Sequence, residues 1–176
     1  MRKILILGAA VFLIAAGCNI GKQGTNQQPS QQTKTFSTTI RTGFEGYFTD
    51  TTISMDYDPA RFAVALDPNR GNQVLITDIE TNATAGVRII NNDGPGFSNS
   101  ADAWNNLSLC ADCRAASDQI GLSGHSDVKS YENATKYWQV FSMDPGFVII
   151  YADKPLAPFL PAIKSLKFSN SKITPA

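Results

Sequence analysis

Histidine is almost missing from this chain, which has one, His125, in 176 residues. Structural zinc sites usually take four cysteine or histidine ligands, and the chain has neither a histidine pair nor two cysteine pairs. A Ser–His–Asp triad would have to come from sequence neighbours, Ser123 or Ser126 with His125 and Asp127, whereas triads normally join residues that are distant in sequence. We therefore predict no catalytic residue, no metal site and no enzymatic activity.

An excess of positive charge is also missing, because 15 Lys and Arg residues face 15 Asp and Glu residues. Nucleic-acid-binding domains usually carry a basic patch, so we expect no nucleic-acid partner. The glycine patterns of P-loops and dinucleotide-binding folds are absent as well. We accordingly expect no cofactor.

The amino-terminal apolar run is too short to span a bilayer. Ile4 to Ala16 contains 13 residues, whereas a transmembrane helix needs about 20. Arg2 and Lys3 precede the run, and this order is typical of a secretory signal peptide. We therefore predict an exported protein.

Cys18 follows the small residues Ala15, Ala16 and Gly17 directly. The segment resembles a bacterial lipobox, with Ala15 at the position where leucine is common. The resemblance implies a signal peptide at residues 1–17 and a fatty-acylated, palmitate-bearing Cys18 that anchors the protein to a membrane. The anchored protein would face outside the cytoplasm. If the host has an outer membrane, the resemblance places the anchor there, because Asn19 and not an aspartate follows the cysteine. A plain secretory signal with an incidental cysteine is the alternative.

Composition divides the rest of the chain into three parts. Residues 18–35 contain the lipidated cysteine and a stretch dominated by Gln, Thr, Gly and Asn, which predicts a flexible tether. Residues 36–170 are long enough for a single domain with a hydrophobic core. We predict a frayed tail at residues 171–176.

Alternating apolar and polar residues predict several short antiparallel strands. Asp144-Pro-Gly146 is a strong hairpin signal between the last two of them. The predicted strands are 36–41, a strand containing Ile53, Met55 and Tyr57, then 62–66, 74–79, 87–90, 136–143 and 147–151.

Two helices are predicted. Ser100 can cap a helix over Ala101 to Leu109, with Asp102 in its first turn. Near the end of the chain, apolar residues from Leu156 to Leu166 recur at helical spacing, and this predicts a helix that ends by Phe168. The order of strands and helices predicts an α+β fold, an antiparallel β-sheet flanked by helices.

Two segments resemble the PsbP/Mog1/DcrB type of small bacterial lipoprotein. They are 53–62 (ISMDYDPARF), a strand that leads into a Tyr-x-Pro corner, and 163–168 (IKSLKF), the predicted closing helix. The resemblance covers roughly residues 36–170 and implies an α/β/α sandwich. It also implies a role in interaction or assembly more often than in catalysis.

Cys110 and Cys113 form a C-x-x-C pair after the first predicted helix. Because an exported protein meets an oxidising environment, a structural disulfide is the favoured interpretation. A redox couple, part of a metal site with His125, Asp112 or Asp118, and free thiols remain alternatives. Redox motifs of the thioredoxin type open a helix, whereas this pair follows one.

The sequence thus predicts a lipid-anchored cell-envelope protein with a non-catalytic binding or assembly role and a protein partner in the envelope. The alternative is an envelope thiol–disulfide or metal-handling protein that uses Cys110 and Cys113. No ligand-binding residue is predicted individually. Trp104, Tyr137, Trp138 and Phe147 are assigned to the core, although an aromatic cluster on a sheet face could receive a ligand.

Overall fold

The computed structural model describes residues 32–44, 47–90, 99–116, 120–122, 124–125, 127–144 and 146–173. They belong to one compact unit, Gln31–Ala176. The predicted signal peptide, Cys18 and most of the predicted tether lie outside the described residues. These assignments, and the domain boundaries, stay predictions.

A small antiparallel sheet contains the first two strands and the last one. In β2, Ile53 and Met55 are buried and alternate with Ser54 and Asp56, which is the pattern of a sheet with one covered face. Arg41 and Asp50 face each other across the sheet with a bidentate ion pair. The strands are β1 (Lys34–Phe44), β2 (Tyr47–Tyr57) and β10 (Lys167–Ile173), in the order β1-β2-β10.

A large antiparallel sheet contains the seven other strands. Its order is β3-β4-β5-β9-β8-β7-β6, so β9 lies between β5 and β8. The strands are β3 (Phe62–Leu66), β4 (Gln73–Asp78), β5 (Thr84–Ile90), β6 (Arg114–Ala115), β7 (Val128–Glu132), β8 (Lys136–Ser142) and β9 (Phe147–Asp153).

The large sheet has two faces of different character. Its inner face is the face that packs against the small sheet, and the two sheets share one hydrophobic core. A short turn of 3-10 helix, Ala157–Phe159, leads into α2 (Leu160–Lys164), and both contribute buried side chains to this core. The core residues of the inner face include Val74, Ile76, Val87, Ile89, Phe141, Val148 and Ile150.

The outer face of the large sheet is covered at one end by α1 (Ser100–Leu107). Ala103 and Trp104 of this helix pack on Trp138, Val140 and Ile149 in a second, smaller cluster. The helix is capped by Asn99, whose side chain accepts a hydrogen bond from the Asp102 N–H at 3.0 Å. The predicted cap, Ser100, is therefore wrong by one residue.

The predicted α/β/α sandwich is wrong. The described chain forms two β-sheets with two short helices, and the small sheet covers the inner face where the prediction placed a helical layer. The predicted closing helix ends at Lys164, and Phe168 lies in β10, paired with Ile53 of β2. Residues 163–168 are thus a helix end followed by a strand.

The strands predicted from alternation are confirmed, although their ends shift by several residues. β7, β10 and the short β6 were not predicted. Within the described ranges, no helix combines the length and the apolar character that crossing a membrane requires.

Candidate ligand-binding cleft

A cleft of about 400 Å³ opens on the outer face of the large sheet, beside the end that α1 covers. The strands β4, β5, β9 and β8 lie side by side there, so alternate residues of each point into the same space. The lining residues are Arg70, Gln73, Arg88, Leu109, Lys136, Trp138, Ile149 and Tyr151.

Tyr151 lies flat across β5 because the residue opposite it is Gly86. A Cβ atom added at Gly86 would lie 2.5 Å from Cζ of the tyrosine ring, so no larger residue fits beneath the ring. A glycine inside a strand commonly marks such a close approach. Gly86 therefore sets the position of the tyrosine in the cleft.

The Tyr151 hydroxyl is held by a neighbouring amide. Gln73 Nε2 donates one hydrogen bond to the tyrosine oxygen at 2.8 Å and another to Asp67 Oδ2 at 3.1 Å. Burial, followed by the nearby charge of Asp67, raises the pKa of Tyr151, so the hydroxyl keeps its proton at neutral pH. That proton has no acceptor among the described residues and is available to a ligand in the cleft.

Two arginines bring positive charge to the cleft without a matching carboxylate in the described part of the chain. Arg88 projects from β5, is partly buried, and its Nε atom is buried with no hydrogen-bond partner among the described residues. Burial, followed by the like charge of Arg70, lowers the pKa of Arg88. A charge held in this way gains more than an exposed one when an anion binds.

Lys136 is the third cation of the cleft, but its charge is already matched. Its Nζ atom lies 2.7 Å from Asp153 Oδ1, and Asp153 also accepts hydrogen bonds from the backbone and hydroxyl of Thr84. Burial alone would raise the pKa of Asp153, but the bonds from Lys136 and Thr84 outweigh it and the pKa is lowered. The uncompensated charge of the cleft is therefore that of the arginines.

Leu109, Trp138 and Ile149 form the apolar part of the cleft. Trp138 is fixed from behind by Trp104, at 6.0 Å between ring centroids and an interplanar angle of 68°. Trp104 in turn stacks on Tyr131 at 3.9 Å. Both tryptophans are buried, which confirms their assignment to the core, and Trp138 also lines the cleft.

Cys110 and Cys113 lie at disulfide distance in the segment that follows Leu109, as the disulfide prediction requires. Both cysteines pack against the outer-face cluster. Asp112 lies beside them and accepts a hydrogen bond from Asn133 Nδ2 at 3.2 Å. The pair therefore fixes the turn that carries Leu109 to the cleft.

We expect the disulfide to add about 2 kcal/mol to the free energy of unfolding, because so short a loop removes little entropy from the unfolded chain. This contribution is measured by comparing the free energy of unfolding of a Cys110→Ser, Cys113→Ser double variant with that of wild type in urea denaturation. Alkylation with and without prior reduction gives the thiol count. Two thiols that are readily alkylated without reduction would contradict a structural bond.

His125 lies apart from the cleft. Its ring centroid is 4.1 Å from that of Phe141 and 6.2 Å from that of Phe168. Asp127 is engaged elsewhere, since it accepts hydrogen bonds from the Ser100 N–H at 2.8 Å and the Ser142 hydroxyl at 2.9 Å. Ser123 and Ser126 lie outside the described residues. The hypothetical triad therefore has no assembled acid–base pair in the described structure.

The aromatic packing of His125 predicts a pH-dependent stability. Burial lowers the pKa of His125, so the unfolded chain binds more protons as the pH falls below the ordinary value of about 6.5. The free energy of unfolding should therefore decrease between about pH 7.5 and 5.5. A His125→Phe variant, which keeps a ring against Phe141, should lose most of this slope. Because His125 is the only histidine, an equal slope in both proteins would contradict the assignment.

Comparisons with protein-family models, with curated proteins and with solved structures find no match to this chain. The resemblance to PsbP/Mog1/DcrB-type lipoproteins stays a prediction. The assignment of the cleft as a candidate binding site therefore depends on its geometry alone.

Apart from Trp138, which the sequence placed in an aromatic cluster that could receive a ligand, the cleft residues were not predicted, although two signals were present. Gly86 and Arg88 interrupt a strand that is otherwise mostly β-branched, and both fall on the same side of β5. A glycine and a cation on one face of a buried strand indicate a surface that approaches something other than a hydrophobic core. Arg70 lies on a turn, and nothing in its surroundings in the sequence distinguishes it.

Proposed function

We propose that this chain is a lipid-anchored protein of the bacterial cell envelope that binds an anionic ligand in the outer-face cleft without transforming it. Cys18 is the proposed acyl acceptor, and the membrane faces outside the cytoplasm. The observation that carries the binding role is Arg88, a partly buried cation with an unpartnered Nε beside a second arginine. Holding that charge without a partner weakens the fold, and an anion would remove the penalty.

The intrinsic fluorescence of the chain provides a direct test. The chain has two tryptophans. Trp138 lines the cleft, and Trp104 packs against Trp138. We expect inorganic phosphate, titrated into the full chain in detergent micelles at constant ionic strength, to change this fluorescence saturably. Arg88→Gln should weaken the apparent affinity at least about tenfold, because hydrogen bonds to charged groups are worth about 1.5–3 kcal/mol.

Arg41→Gln is the matched control. Arg41 is also a strand arginine, but it is paired with Asp50 on the small sheet and does not line the cleft. Its variant should bind phosphate as wild type does. An absence of saturable binding, or equal losses in both variants, would overturn the assignment of the site.

The proposed anchor is tested by the intact mass of the membrane-extracted chain. A chain that begins at Cys18 and carries added acyl mass supports it. A chain of another length without lipid would contradict the proposed anchor at Cys18 and would not affect the assignment of the cleft.

A second candidate, thiol–disulfide exchange or metal handling, is favoured by one observation. The ligand atoms of Cys110, Asp112 and Cys113 lie within 4.8 Å of one another. In the bonded state the sulfur atoms cannot act as thiolates, so this function requires the reduced pair. The alkylation experiment above distinguishes the two states.

A further inference from the structure

We propose that the ligand of the outer-face cleft is an organic oxyanion, a phosphate or carboxylate joined to a compact apolar ring. This inference rests on the proposed binding function and specifies its ligand. The oxyanion would contact Arg70 and Arg88, and the ring would lie on Leu109, Trp138 and Ile149.

The charged part follows from the set of donors. Arg70, Arg88 and the free proton of Tyr151 line one cleft and are all donors without an acceptor among the described residues. Guanidinium groups present several N–H donors in a plane, which suits the paired oxygens of a carboxylate or phosphate. A cationic ligand is disfavoured because both nearby carboxylates are already engaged, Asp67 by Gln73 and Asp153 by Lys136.

The apolar part follows from the size and the lining of the cleft. Its volume of about 400 Å³ lies in the range of small-molecule sites, about 300–1,000 Å³, and exceeds what a bare inorganic anion would fill. The wall formed by Leu109, Trp138 and Ile149 carries no cation, and Leu109 and Ile149 have no side-chain hydrogen-bond donor for an anion. A ring placed there would contact the part of Trp138 that lines the cleft, in the tilted or edge geometry that aromatic pairs prefer.

Cys110 and Cys113 support the same wall from outside. Leu109 precedes the disulfide directly, and both cysteines pack on the cluster that contains Trp138 and Ile149. The apolar half of the cleft is thus held in place before a ligand arrives, which lowers the ordering cost of binding.

The test compares phenyl phosphate, phenylacetate and inorganic phosphate by calorimetric titration into the full chain, with empty micelles as the blank. We expect at least one of the two aryl probes to bind about tenfold more tightly than inorganic phosphate, because part of the ring leaves water. Which aryl probe binds more tightly distinguishes a phosphate ligand from a carboxylate ligand.

Leu109→Ala separates the two halves of the site. It should reduce the affinity for the preferred aryl probe severalfold and leave that for inorganic phosphate unchanged, whereas Arg88→Gln should weaken both. Leu66→Ala, at an exposed leucine of β3 outside the cleft, is the control and should change neither. Equal affinities for the aryl probes and for inorganic phosphate would contradict the proposed ring of the ligand but not the proposed anion site. No binding of any probe would overturn both proposals.

Discussion

Gln139→Glu is expected to lower the free energy of unfolding by about 3–5 kcal/mol at pH 7, because it places an unpaired charge in the core. Gln139 is fully buried on the inner face of the large sheet. Its amide donates to the Ile120 carbonyl at 3.0 Å and to the Ser130 hydroxyl at 3.3 Å, and both partners are neutral. Oε1 of Gln139 has no partner in the described part of the chain, and no cation contacts the side chain there, so a carboxylate at this position would lack a charged partner.

The penalty should disappear in acid. Burial raises the pKa of a carboxyl group above the value of about 4.3 that glutamate has in the unfolded chain. Below that value both states hold the proton, and the protonated side chain can donate to Ile120 as the amide does. As the pH rises, the unfolded chain releases its proton first, and the difference from wild type grows.

Urea denaturation of variant and wild type at about pH 4 and pH 7 measures this change. Gln139→Leu is the control, since it leaves the Ile120 carbonyl without a partner but introduces no charge. It should cost about 1–3 kcal/mol at both pH values. A difference for Gln139→Glu that is the same at both pH values would mean that the side chain reaches solvent.

Gly86→Ala should destabilise the fold by about 1–3 kcal/mol, because the new methyl group would overlap the Tyr151 ring. The ring atoms that it meets lie about 2.5 Å away, and both residues sit in the middle of paired strands. Relief requires the ring to swing away from Gln73, so the variant should also weaken the binding of anionic probes.

Two comparisons make the result specific to the ring. Gly71→Ala adds a methyl group where nothing lies within 4 Å, and it should cost no stability. In a Tyr151→Leu background, the added cost of Gly86→Ala should fall markedly, because the group that clashes is gone. An undiminished cost in that background would indicate a backbone effect at Gly86 instead.

The strands were predictable because half-buried strands leave a local record. Ile53 and Met55 alternate with polar neighbours, and the Asp144-Pro-Gly146 turn joins β8 to β9 within a few residues. The end of the chain was misread for a related reason. Apolar residues from Leu156 to Leu166 fit helical spacing, but the helix ends at Lys164, and the next residues pair with β2 more than 100 positions earlier. That partner leaves no trace in a local pattern.

The cleft could not be predicted from local sequence patterns, because its lining residues come together only through the order of the strands in the sheet. A simple meander would place β6 beside β5, whereas β9 occupies that position. This insertion brings Tyr151 next to Gly86 and within reach of Gln73. The disulfide was predictable because its two cysteines lie three residues apart, so spacing and export are enough to pair them.

We expect Arg88 also to disfavour incorrect strand alignment during folding. It lies on β5 between Val87 and Ile89, which point to the opposite face. If β5 slipped by one residue against β9, the guanidinium would enter the hydrophobic core, and the Val87 side chain would move to the outer face of the sheet. The misaligned chain would therefore bury an unpaired charge. A substitution such as Arg88→Val would remove both the partly buried guanidinium from the cleft and the penalty that disfavours the misaligned pairing of β5 with β9.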